Sequence, residues 1–143
     1  MNTRFFYLLR DSMNVFLDSS STCSYIIPLF SEYDNIHIIT NSVQSIISAS
    51  EHNITCTLAG GDFYKRDMCT VGRICENFLQ TINVDIAFFS SLGLSDDGLI
   101  TDCDEFQNSV RKTVMKNCDT NIFCLIAINF IRNIFIPFAV KTT

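Results

Sequence analysis

The sequence predicts an α/β fold, a mostly parallel sheet with helices on both faces. Three observations carry this expectation. Short apolar runs of strand length alternate with stretches of helical apolar spacing along the chain, and parallel neighbours need crossover connections, which are usually helices. Hydrophobic residues make up 48% of the 143 residues and charged residues 17%, a balance suited to a sheet buried on both faces and not to a disordered segment. Small, hydrogen-bonding or conformationally permissive residues follow four successive strand-like runs, as expected where the carboxyl ends of strands line one rim.

The elements follow in order. "MNVFLD" is a strand closed by Asp18, and Tyr25, Ile26, Leu29 and Phe30 after it have helical spacing. "IHIIT" is the next strand, followed by a helix through Val43, Ile46 and Ile47. "ITCTLAG" leads into a loop and then a helix whose apolar face is Val71, Ile74, Phe78 and Leu79. "VDIAFFSSLG" precedes a helix through Phe106, Val110, Val114 and Met115. Before that helix, Asp96, Asp97 and Gly98 in "SDDGLITD" predict a tight turn and a short extra strand. "NIFCLIAI" ends the series, and the branched and aromatic run from Ile122 to Val140 predicts two buried strands. Asn129, Arg132, Asn133 and Pro137 interrupt that run, whereas a bilayer helix needs roughly 20 mostly apolar residues.

Residues 1–143 are expected to form a single domain, since cores commonly occupy about 100 to 200 residues. There is no repeat, linker or low-complexity tract, and the amino terminus lacks a secretory pattern, so a cytoplasmic location is expected. Seven widely spaced cysteines without a C-x-x-C pair argue for free thiols, mostly buried, with Cys23 beside a hydroxyl run as the accessible one. Net charge is −5 with dispersed basic residues, a poor footprint for a phosphate backbone. His37 reads as packed within a strand and His52 as a helix-end residue. Asp96 and Asp97 have no further oxygen ligands at fixed offsets, so no metal and no cofactor is expected.

The strand ends hold the candidate functional residues. Ser19 to Thr22 fall where a strand stops and a helix starts; serine and threonine there cap the helix, and backbone N–H groups of a first turn suit an anion. Thr40-Asn41-Ser42, Gly60-Gly61 and Leu92-Gly93 occupy the equivalent places after the later strands. Four such ends converging on one rim predict a shared pocket, with the glycine pair allowing close backbone approach. Lys65 and Arg66 are expected in a solvated loop, with a lid over the pocket as the other reading.

In this order and spacing, "VFLDSSST", "HIITNS", "LAGGDFYKRDMCTVG", "VDIAFFSSLGLSDDGLIT" and "SVRKTVM" resemble the C-terminal effector domain of DeoR-type bacterial transcriptional repressors, over most of the chain from about Phe6. The resemblance implies the ribose-5-phosphate isomerase and CoA-transferase fold group and a non-catalytic domain that binds a phosphorylated sugar. It places Asp18, Ser20, Ser21 and Thr22 on the family's phosphate loop, Thr40, Asn41 and Ser42 on its Thr-Asn-Ser, Gly60 and Gly61 on its double glycine, and Arg111 and Lys112 on its basic pair; Gly93 completes the rim. It implies a cytoplasmic homo-oligomer without membrane contact, and DNA binding only through a winged helix-turn-helix that this chain lacks, together with a missing C-terminal strand and helix.

The sequence departs from the family pattern at Ser20, where the loop has glycine, at Gln107, where an acidic residue is expected, and at "IAINFIRN", where Ile128 stands in place of an aspartate. Two alternatives stay open. One is a degenerate scaffold that oligomerises without binding ligand; the other is a sugar-phosphate isomerase, with Asp18 or Asp104 as its base.

Overall fold

In strand β1 (Asn14–Leu17), Val15 and Leu17 face one side of a sheet, Phe16 faces the other, and none is exposed to solvent. The same period-two alternation recurs in β2 (His37–Thr40), where Ile38 and Ile39 serve opposite faces, and in β6 (Val84–Ser91), where Ile86 and Phe88 oppose Ala87 and Phe89. Burial on both faces demands helices on both faces. The computed structural model, which describes residues 7–91, 105–129 and 132–140, supplies them.

The remaining strands of the main sheet are β3 (Thr55–Leu58), β7 (Cys118–Asn129) and β8 (Arg132–Val140). The order is β3-β2-β1-β6-β7-β8, with the first five parallel and β8 antiparallel to β7. Helix α1 (Ser21–Tyr25), a 3-10 helix (Ile27–Glu32) and α2 (Val43–Glu51) bring Cys23, Ile26, Phe30 and Ala49 to one face. Helices α3 (Arg73–Gln80) and α4 (Glu105–Lys116) bring Cys75, Leu79, Val110 and Val114 to the other. A row of rings, Phe16–Phe89–Phe123, centres this second core, with centroids 5.9 and 5.2 Å apart.

The chain winds outward from β1 to β2 and β3, then returns to place β6 on the opposite side of β1. The helices that follow β1 and β6, α1 and α4, therefore pack on opposite faces of the sheet. That reversal is the position where open α/β sheets form ligand crevices.

The predicted α/β sheet and its strands are present, and the Ile122–Val140 run does form two strands, β7 and β8. The predicted loop after β3 instead contains a hairpin, β4 (Asp62–Tyr64) paired with β5 (Cys69–Val71). Val71 is consequently the last residue of β5 and not part of a helical face; α3 starts two residues later, after Gly72 at φ +94°. The predicted Asp96–Gly98 turn lies outside the described residues. Among the described residues, no helix is long and apolar enough to cross a membrane.

Cys23, read from sequence as the accessible thiol, is fully buried, and its sulfur donates to the Phe88 carbonyl at 3.4 Å. The short α1 turns it under the sheet instead of outward. Burial, then the nearby Asp18 charge, pushes the Cys23 thiol well up, and the same two causes push Cys124 up to about 12. Because folded thiols of this kind resist ionisation, the unfolded chain ionises first as pH rises. For Cys124 the stabilising contribution is complete below the ordinary thiol value near 9.0 and is lost as pH climbs through the folded value of about 12, and Cys23 acts in the same direction.

Labelling of the folded protein with an aromatic disulfide reagent at pH 8 should reach Cys56, which is partly exposed, before Cys23, Cys69, Cys75, Cys118 and Cys124. Peptide mapping checks the order; early modification of Cys23 or Cys124 would contradict this packing.

Candidate functional site at the strand switch point

Asp18 follows β1 directly and is only 2% exposed. Its Oδ1 accepts from the Ser20 N–H at 3.0 Å and the Ser20 hydroxyl at 2.5 Å. Its Oδ2 accepts from the Ser90 N–H at 2.8 Å and lies 2.9 Å from Arg111 Nη2. Asp18 also donates its own N–H to the Phe88 carbonyl. One carboxylate thus joins the end of β1, the start of α1, the end of β6 and the middle of α4.

Arg111 is 7% exposed, and while Nη2 meets Asp18, its Nε and Nη1 have no hydrogen-bond partner. Buried donors without partners cost about 1–3 kcal/mol each. A guanidinium carrying spare donors beside a strand-end loop is suited to an anion.

Ser20, at the position where the resembling family has glycine, adopts φ −74° and ψ 148°, an ordinary extended conformation. Its hydroxyl caps α1 by accepting the Cys23 N–H at 3.2 Å. Ser21 is exposed and Thr22 buried in the first turn of that helix. Thr40, Asn41 and Ser42 are all buried and make contacts within the protein. Thr40 donates to the Leu17 carbonyl at 2.7 Å, Asn41 Nδ2 to the Thr70 carbonyl at 2.8 Å, and the Ser42 hydroxyl accepts the Ser45 N–H that opens α2. These three tie β2 to β1 and to the hairpin. Asn41 Oδ1 alone among their side-chain atoms is buried without a partner.

The two glycines differ. Gly61 has φ +138°, and a Cβ there would come within 2.8 Å of the Val71 carbonyl oxygen and 2.9 Å of Cys75 Cβ; Gly60 has open space around it. The basic pair is also divided. Arg111 lies on Asp18, whereas Lys112 is exposed and lines a groove with Asn83, Asn117 and Asp119 at the other end of the sheet. Gly93 is outside the described residues, as are the side chains of "IAINFIRN".

Three participants escaped the sequence reading of the rim. The Ser90 N–H could not be found from residue type, because any residue supplies one. Gln107 stands one helical turn before Arg111, so its i, i+4 spacing was an available signal. Its Oε1 accepts the Ser19 hydroxyl at 2.8 Å, and its Nε2 donates to Asp67 Oδ2. Asp67 belongs to the turn between β4 and β5, together with the exposed Lys65 and Arg66. Among the described residues, no group of three or more histidine, cysteine or acidic side chains is placed to hold a metal ion.

At the carboxyl edge of the sheet, then, one buried Asp–Arg pair joins the loop after β1, the end of β6 and α4. The chain belongs to the family described as the DeoR C terminal sensor domain, whose model matches residues 4–138. It is similar to an uncharacterized HTH-type transcriptional regulator of Haemophilus influenzae, 30% identical over 118 residues, covering 80% of this chain and 45% of that protein. It is also similar to the HTH-type transcriptional regulator IolR of Bacillus subtilis, 27% identical over 107 residues (74% and 43%), and to the L-fucose operon activator of H. influenzae, 26% identical over 110 residues (76% and 44%). The chain therefore spans less than half the length of these relatives. Among solved structures, a D-ribose-5-phosphate isomerase in complex with phospho-erythronic acid aligns with TM-score 0.60 at 17% identity, covering 85% of this chain and 47% of the other. The ribose 5-phosphate isomerase of Methanocaldococcus jannaschii aligns at 0.58 and 16%, covering 85% and 48%. These likenesses show the fold.

Replacing Arg111 by Met leaves the Asp18 carboxylate buried without its cation and should lower stability by about 3–5 kcal/mol, while adding Asp18→Asn should recover part of the loss. Urea unfolding of both variants measures it. By the same method Gly61→Ala should cost more than about 1 kcal/mol and Gly60→Ala less than that, because only the first forces a side chain onto positive φ and into a backbone oxygen.

Proposed function

We propose that this sensor domain binds a phosphorylated sugar at the switch-point rim, performs no chemistry on it, and reports its presence to a DNA-binding segment elsewhere in the regulator. The observation that carries this reading is Arg111, buried at the rim with two donors unspent next to the Asp18 loop. Phosphate oxygens would satisfy those donors, and the sugar relatives of the family, such as the L-fucose operon activator, support a carbohydrate effector. The isomerase alternative is less well supported. A general base must be able to take a proton from substrate, and Asp18 is already engaged by four donors. Asp104 lies outside the described residues. In this reading the chain does not bind duplex DNA by itself, since its net charge is −5 and its basic residues are dispersed; a cytoplasmic location and a homo-oligomer belong to the same proposal, by the family resemblance.

Thermal unfolding with a panel of pentose and hexose phosphates tests the proposal. A ligand at about one hundred times its dissociation constant should raise stability by about 2.7 kcal/mol. Arg111→Lys keeps the charge but loses the planar fork, and should diminish the shift. If no member of the panel shifts the unmodified protein, the scaffold alternative replaces the sensor.

A further inference from the structure

Resting on that reading of the rim, we infer that Asp67, held in place by Gln107, reads the hydroxyl groups of the effector, so that the site selects a polyhydroxylated anion over a simple one. Asp67 reaches the rim from the β4–β5 turn, a place where charged side chains are ordinarily solvated. Here its side chain is 28% exposed and is engaged by the Gln107 amide of α4. The turn itself is anchored: the Met68 carbonyl accepts the Val43 N–H at 3.0 Å, and the Tyr64 ring lies 5.9 Å from Phe106.

The polarity of the relay explains why glutamine stands at 107. Its carbonyl end accepts the Ser19 hydroxyl and its NH₂ end donates to the carboxylate, so a single amide joins a donor to an acceptor. Glutamate there would set two carboxylates against each other. The contacts to Asp67 from Gln107 and from Arg66 both fall on Oδ2, leaving Oδ1 to accept. An anion lodged between Arg111 and the Ser19–Ser20 loop would therefore have a carboxylate acceptor on the far side of the Gln107 amide. A phosphate and a hydroxyl carried by one sugar would engage the two together. Inorganic phosphate brings its charge without the sugar's carbon-borne hydroxyls, so it has no second group to place on Asp67 while its oxygens occupy Arg111.

Calorimetric titration of the unmodified chain, Asp67→Asn and Gln107→Leu with inorganic phosphate, ribose 5-phosphate and glucose 6-phosphate tests the inference. The unmodified chain should prefer at least one sugar phosphate to phosphate. Both substitutions should cut that preference about tenfold, the weight of a hydrogen bond to a charged group. Circular dichroism melts confirm that the variants fold. Equal loss for all ligands, or an unchanged ratio, overturns the role of Asp67 while binding by the unmodified chain leaves the sensor reading intact. Equal affinity of the unmodified chain for phosphate and both sugar phosphates also overturns it. Failure of the unmodified chain to bind any of the three overturns both.

Discussion

The buried Asp18–Arg111 pair is the constraint on which the rest of the rim depends. Two charges removed from water recover their hydration only through close pairing and additional hydrogen bonds. Asp18 meets that requirement with the Ser20 backbone and hydroxyl, the Ser90 N–H and the guanidinium. Those four donors come from three places in the chain. The loop after β1, the end of β6 and the body of α4 are thereby held in one geometry, and Arg111 is delivered to the rim with its remaining donors already oriented.

The sheet explains why the pair can exist there. With β2 on one side of β1 and β6 on the other, all parallel, the segments leaving β1 and β6 diverge to helices on opposite faces. A gap at their carboxyl ends follows from connectivity alone, and Asp18 stands at its base. Phe16 and Phe89, packed 5.9 Å apart below it, hold the two strands in register and keep water out beneath the pair. The floor of the site is thus part of the packed core, while the β4–β5 turn that carries Asp67 belongs to a separate two-stranded sheet.

Much of the fold was legible in the sequence, because the strands of a doubly covered sheet are short, uninterrupted apolar runs that few other arrangements require. The hairpin was not. Its strands have three residues each, and Val71, Ile74 and Phe78 fall at intervals of three and four, imitating a helical face although Val71 is in a strand. At the site, residue types were readable but their partners were not. Adjacent residues on a helix point about 100° apart, so only one of Arg111 and Lys112 could face Asp18, and the sequence does not say which. Thr40 and Ser42 satisfy backbone groups within the protein, a use of hydroxyls that looks the same in sequence as a ligand contact.

That distinction narrows how recognition can work. A hydroxyl has one proton to donate. Thr40 donates to the Leu17 carbonyl, Ser20 to Asp18 and Ser19 to Gln107, so these three hydroxyls have already assigned their protons. In the proposed reading, a phosphate at the rim would displace one of these bonds or rely on other donors. Arg111 supplies such donors, and they carry the larger gain because the guanidinium is charged and its Nε and Nη1 otherwise remain buried without partners. Ser20 then acts by setting the position of Asp18, and through it the guanidinium. At this strand end Ser20 thus serves the buried Asp18–Arg111 pair, and in the proposed reading the guanidinium is the group left to meet the ligand.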